Sequence, residues 1–240
     1  MRWTSEGLVL NFKSHNEKSY ILEVLTRDYG KHKGLIRGVH SKNIRSIIEP
    51  GNEINANWSG RLETHLGSFS IESIKPWSSL ILNQKERLCA LTAACSLVSI
   101  TLAEKQPNDA VYLGFKSLIE VLTSGKDDWI KSYIIWELNL LREIGYGLDL
   151  SKCAVTNQKD NLVYVSPSTG SAVTETGAGE YKNKLIKLPT FLINNNIDPS
   201  KNDIIDGLNL SEFFFKKWFF QPNNLNFPES RNRLKGMYII

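Results

Sequence analysis

The sharpest constraint in this 240-residue chain is a change of hydrophobic period at Lys75-Pro76-Trp77. Before it, apolar residues alternate with polar ones, the pattern of half-buried strands. After it they recur at i, i+3 and i+4, the pattern of helices with one buried face. Strands first and helices second predict an α+β chain in which the two kinds of element are segregated. The boundary this implies is residues 1–77 for a β domain and 78–240 for a mostly helical one.

Five strands are expected in the first part, near Thr4–Phe12, Lys18–Thr26, Lys31–Val39, Glu53–Ser59 and Ser68–Ile74. A short helical turn is expected between the third and fourth, before Pro50-Gly51 stops it. On the fourth strand Ile54, Ala56 and Trp58 share one face; on the fifth, Phe69 and Ile71 point inward with Ser73 or Ile74. Five short strands with a helical link between the third and fourth match an OB-fold barrel. An SH3-like barrel has the same strand count and stays open.

The helical part starts with Leu88, Leu91, Cys95, Val98 and Leu102 in helical register. Ala90–Leu102 carries no charge, so burial on most sides is expected. Helices are also expected over Ala110–Leu122 and Trp129–Ile144, the latter stopped by Gly145 and Gly147. Residues 148–186 are rich in Ser, Thr, Asn and Gly. They suggest a small knuckle-like insertion, with a hairpin of Leu162–Val165 and Ser171–Val173 around Pro167-Ser168-Thr169-Gly170. Leu185–Ile193, Ser200–Phe220 and Glu229–Met237 read as closing helices, with the Phe213–Phe220 aromatics as core.

Charge narrows the function. Residues 1–50 hold nine Lys/Arg and five Asp/Glu, a net of +4 that equals the net charge of the whole chain. The excess concentrates in the turn after the second strand, the third strand and the link. Arg27, Lys31, Lys33, Arg37, Lys42 and Arg45 face a single acid in that stretch, Asp28. Lys31, Lys33 and Arg37 differ by even steps and share one strand face. With Lys13 and Lys18 they could line one phosphate-tracking groove, and Tyr20, Tyr29 or Phe12 offer stacking surfaces. Four to six phosphate contacts would give a log–log salt slope of about −3 to −5. No base-reading element is evident, so little sequence preference is expected. The bland alternative is an edge strand kept soluble by its lysines and arginines.

Catalytic signatures are absent. There is no GxxxxGK, GxGxxG or GxSxG. The four histidines, His15, His32, His40 and His65, lack metal-ligand spacing, and Cys153 has Thr156 where a Cys-x-x-Cys partner would stand. No cofactor or metal is expected, and a binding protein is favoured over an enzyme. The three cysteines form no disulfide framework, which suits a reducing cytoplasm. No membrane span and no signal peptide are expected.

Five stretches carry a resemblance. EGLVLNFKSHNEKSYILEVLTRDYGKHKGLIRGVHS, LLREIGYGLDLSKCAV, LVYVSPSTGSAV, KLIKLPTFL and LNFPESRNRLKG, in this order, are similar to the bacterial RecO family. The resemblance implies an N-terminal OB-fold, a helical bundle and a knuckle. It implies binding of single- and double-stranded DNA, annealing of complementary strands, and action with RecR, and in some lineages RecF, to load RecA onto coated strands. It implies contact with the acidic, Phe-ended tail of single-stranded DNA-binding protein, for which Lys126, Lys131 and Trp136 are candidates. Some members carry a four-cysteine zinc site in the knuckle; only Cys153 matches that pattern here. It implies a cytoplasmic protein that joins the nucleoid during repair. The residues alone also admit an RNA-directed or ribosome-associated OB-fold protein.

Overall fold

A fifteen-residue strand, β1 (Arg2–Asn16), carries two neighbours at once. Its first half pairs antiparallel with β4 (Glu53–Ser59) and its second half with β2 (Ser19–Thr26). A register shift between Val9 and Asn11 bends it where it changes partner, the device that lets one strand turn a barrel corner. The computed structural model describes residues 1–17, 19–38, 42–62 and 64–239, without the side chains of 42 and 43.

The strand β3 (Gly30–Arg37) returns from β2 through the turn Arg27–Gly30. Thr26 Oγ1 donates to the Gly30 carbonyl at 2.9 Å and accepts from the Tyr29 amide at 3.2 Å. Gly30 has a φ of +66°, and a Cβ there would lie 2.3 Å from the Gln106 carbonyl oxygen, so the turn requires glycine. The helix α1 (Lys42–Ile47) leads to β4, and β5 (Ser68–Lys75) closes the ring by pairing with β4 and, at Leu35–Ser68, with β3. The result is a closed five-stranded barrel in the order β1-β2-β3-β5-β4, an OB-fold. Its core is Val9, Leu22, Val24, Ile36, Ile48, Ile54, Ala56, Trp58 and Phe69. Ile71 is half-buried, while Ser73 and Ile74 face solvent.

The helix α2 (Lys85–Thr101) lies against β1 on the outside of this barrel. Cys95 and Ser99 reach Val9 and Glu23, so the uncharged half of the helix is buried on several sides. The helix α3 (Asp109–Thr123) begins at Asn108, whose side chain accepts from the Val111 amide at 3.0 Å.

The chain divides into two compact units: Met1–Gly125 with Pro228–Leu234, and Lys126–Phe227 with Lys235–Ile240. The first unit therefore extends past the pattern change at residue 77, because α2 and α3 pack with the barrel.

In the second unit α4 (Trp129–Glu143) ends at Gly145, φ +94°. Then come β6 (Leu162–Val165), β7 (Ala172–Thr174) and the single turn α5 (Glu175–Ala178). The stretch expected as a helix over Leu185–Ile193 is different. Ile186–Lys187 forms β8, which pairs with β6 and makes a three-stranded sheet, and Thr190–Leu192 is one 3-10 turn. Pro189 lacks an amide and pushes Leu188 away from helical backbone, which favours the strand. The helix α6 (Lys201–Phe214) starts with a Ser200–Asp203 capping box and passes into a π-helical turn, Phe215–Phe220. Phe214, Phe215 and Phe220 are buried, as expected of core aromatics; Phe213, Trp218 and Phe219 are only half-buried. The last helix, α7 (Glu229–Gly236), belongs to the first unit as far as Leu234.

Candidate nucleic-acid interface

Strand register decides where the basic residues point. Side chains opposite one another in an antiparallel ladder share a face. Lys33 pairs with Glu23 and that with Asn11; Leu35 pairs with Ile21 and that with Lys13; Arg37 pairs with Ser19. Lys31, Lys33, Arg37 and Lys13 therefore share the outer face of the barrel, as their even spacing predicts. They do not share one environment, because α2 covers only the turn-side half of that face.

Lys31 is just 6% exposed. Its ammonium donates to the Ser99 carbonyl and lies 3.7 Å from Glu23, itself 5% exposed. Burial lowers the Lys31 pKa, partly offset by Glu23. Lys31 thus serves the barrel–helix contact and is withdrawn from solvent. Lys33 is bonded to Glu104 at 2.6 Å and Arg27 to Asp109 at 3.1 Å. Both pairs are well exposed, and such pairs contribute only about 0.2–1 kcal/mol. Lys33 also stands 3.7 Å from the buried Glu23, the partner that Lys31 cannot leave.

Lys13, Arg37 and Arg45 are exposed and make no ion pair among the described residues. They occupy one end of the barrel. Phe12, Tyr20 and Ile44 are neighbours of these three in strand or sequence and pack on the core there, with Phe12 and Tyr20 rings 5.7 Å apart. Tyr29 sits at the opposite end of the hairpin, its ring stacked on Trp3 at 4.4 Å. Tyr20 and Tyr29 therefore do not form one stacking platform. Lys18 and His40 lie outside the described residues, as does the side chain of Lys42.

A groove of about 470 Å³ crosses β1, β4 and β5; Arg2, Thr4, Asn57, Ser59, Ser68 and Ser70 line it together with Trp3, Trp58 and Phe69. Sequence reasoning passed over it, although the alternating Ser, Thr and Asn of these strands are its signal. Such groups donate hydrogen bonds to phosphates as neutral positioning contacts.

In the second unit, Lys126 is exposed, but Lys131 donates to the carbonyls of Asn195 and Ile197. Trp136 is 7% exposed, because it lies on the buried stripe of α4 with Trp129, Tyr133 and Leu140. Trp136 is a core residue, not a surface anchor, and these three residues do not form a groove. A cleft of about 490 Å³ exists elsewhere, lined by Phe213, Lys216, Lys217 and Lys235 around Glu212. Lys235 holds the Glu212 carboxylate at 2.8 Å, and Lys217 donates to the Pro167 carbonyl.

Residues 1–77 match the family described as Recombination protein O N terminal, and residues 82–215 match Recombination protein O C terminal. The DNA repair protein RecO of Rhodospirillum rubrum is 35% identical over 97% of this chain and 94% of its own length. That of Rhodospirillum centenum is 35% identical over 99% and 95%, and that of a Ruegeria species 36% over 97% and 96%.

The chain belongs to the RecO family.

Membership of the RecO family supports a role in DNA repair and recombination. No helix among the described residues is long and apolar enough to cross a membrane. The knuckle departs from a four-cysteine zinc site in an informative way. Cys153, Thr156, Thr174 and Gly177 stand at Cys-x-x-Cys spacings and converge. The amides of Thr156 and Thr174 donate to Cys153 Sγ at 3.4 and 3.3 Å, and Thr174 Oγ1 lies 3.4 Å from it. A Cβ on Gly177 would come within 3.0 Å of Cys153 Sγ. One thiol, two hydroxyls and a glycine do not fit zinc, which takes four thiolate or imidazole donors in such a site. Hydrogen bonds fill the place of the metal. Burial pushes the Cys153 thiol up, but the donors from Thr156 and Thr174 outweigh it and hold its pKa down to about 6. No group of three or more His, Cys, Asp or Glu among the described residues could hold a metal.

Proposed function

We propose that this RecO-family chain is a non-enzymatic recombination mediator. It binds single- and double-stranded DNA through its barrel, anneals complementary strands, and acts in the cytoplasm at the nucleoid. With RecR, and RecF where present, it helps load RecA onto strands coated by single-stranded DNA-binding protein. The observation that carries this reading is the set of exposed cations Lys13, Arg37 and Arg45, without an ion pair among the described residues and flanked by Phe12 and Tyr20, at one end of an OB-fold barrel. Arg27 and Lys33 join the set when phosphate displaces their exposed carboxylates.

Annealing then follows from electrostatics. A strip of cations screens two phosphate backbones and lets complementary strands approach, with no bond to be broken and no nucleotide to be hydrolysed. Three to five contacts at single strands imply a salt slope of about −2 to −3.5. The cleft of Phe213, Lys216, Lys217 and Lys235 supports docking of an acidic tail that ends in an aromatic residue better than the Lys126, Lys131 and Trp136 set does. The test is annealing of complementary oligonucleotides at low salt, by the wild-type chain and by Lys13→Ala/Arg37→Ala/Arg45→Ala. Annealing by the wild type and its loss in the variant support the proposal. An equally active variant overturns it.

A further inference from the structure

The turn end of the β2–β3 hairpin, β1 and α3 enclose a cleft of about 510 Å³, of which the DNA reading uses only Arg27 at the edge. Its charged lining is Glu6, Arg27, Asp28, Lys116 and Glu120. The two cations are already held, Arg27 by Asp109 and Lys116 by the buried Glu53. Among the described residues the Glu6 and Glu120 carboxylates have neither ion pair nor hydrogen bond, and Asp28 accepts only from Ser5 Oγ, at 3.2 Å. Three carboxylates therefore face this space without a counter-ion in contact.

A second observation is independent of charge. Tyr112 lines the cleft and is 3% exposed, yet its buried hydroxyl has no hydrogen-bond partner among the described residues. Buried polar groups are seldom left so, and each such group calls for an explanation. Burial, followed by the charges of Glu53, Glu6 and Asp28, pushes the phenol up to about 12. The phenol thus keeps its proton and offers neutral oxygen lone pairs.

We propose that this cleft receives an arginine side chain of a partner protein. A guanidinium is a planar cation with five donors, able to meet separated carboxylates and still give one N–H to the Tyr112 oxygen. Leu113, 50% exposed at the rim, covers the methylene stem of such a side chain. An ammonium, compact and with three donors, spans less of the site. Phosphates are repelled by the unbalanced carboxylates, so nucleic acid is not the ligand. The cleft lies at the end of the hairpin remote from Arg37, and a partner seated there leaves the cationic end open.

The test uses the full chain, with the peptide acetyl-Gly-Arg-Gly-amide and its citrulline isostere as probes, followed by amide NMR shifts. The arginine peptide is expected to shift Glu6, Asp28 and Tyr112 saturably. The citrulline peptide, and the Glu6→Gln/Glu120→Gln variant, are expected to bind at least tenfold more weakly. Tyr112→Phe should weaken arginine binding about threefold or more while melting at the same or a higher temperature, since the lost hydroxyl had no partner. Equal binding of citrulline or spermidine overturns the proposal. So does an undiminished double variant, or a Tyr112→Phe protein that melts lower with affinity intact.

Discussion

Replacing Lys31 by Met separates stability from DNA binding in this barrel. The ammonium removed is bonded to the Ser99 carbonyl and stands 3.7 Å from Glu23. What stays behind is a carboxylate, 5% exposed, with the Ser99 hydroxyl and Lys33 at 3.7 Å for company. Removing one partner of a buried ion pair costs about 3–5 kcal/mol, and the lower end applies because Lys33 still reaches Glu23. About 3 kcal/mol lowers the melting temperature of a protein this size by about 6–12 °C. Lys31→Met/Glu23→Leu takes away both charges and should recover most of that loss, with the difference appearing as the coupling energy of a double-mutant cycle. Calorimetry of the four proteins measures it. Single-stranded DNA affinity and its salt slope, read by fluorescence anisotropy, should stay within about twofold, because the ammonium does not reach solvent. A Lys31→Met protein that melts normally but binds DNA tenfold more weakly refutes the reasoning.

The other expectations concern the cationic end and the knuckle. Lys13→Ala, Arg37→Ala and Arg45→Ala should each reduce the magnitude of the salt slope by about 0.7 on single strands, additively, with sequence preference unchanged; anisotropy titrations across salt concentrations check this. Cys89 and Cys95 are pushed up by burial, so a thiolate absorbance step near pH 6 should belong to Cys153 alone and vanish in Cys153→Ala. A thiol depressed on folding stabilises fully above its ordinary range and loses that contribution as pH falls through about 6. Hydrogen exchange of the amides of Thr156 and Thr174, corrected for pH, should therefore show greater protection at pH 8 than at pH 5. Thr156→Cys/Thr174→Cys/Gly177→Cys should create a site that takes one cobalt ion with tetrahedral thiolate absorption bands, and a chain that takes none shows that the four positions do not converge closely enough.

Much of the barrel was legible in order, because period-2 alternation and its turn residues are local signals. The fourth strand was placed at its true bounds, Glu53–Ser59, since Pro50-Gly51 marks its start and Ile54, Ala56 and Trp58 alternate cleanly. The strand Ile186–Lys187 was missed because a two-residue strand carries no period and exists only through its pairing with Tyr164 and Val165. Trp136, named as a candidate for the tail contact on its residue type, is buried because it falls on the stripe of α4 that meets the core.

The amino-acid order alone determined that strands come first, that helices follow, that the positive charge gathers early, and that Lys31, Lys33 and Arg37 leave the barrel on one side. Tertiary packing decided which of those cations remain free. Strand phase is set by neighbours along the chain, but desolvation is set by whatever arrives from far away in it. Ser99 and Glu104, brought in by α2 and the loop beyond it, turned Lys31 into a buried strut and gave Lys33 a carboxylate. Among the described residues, no carboxylate distant in sequence pairs with Arg37.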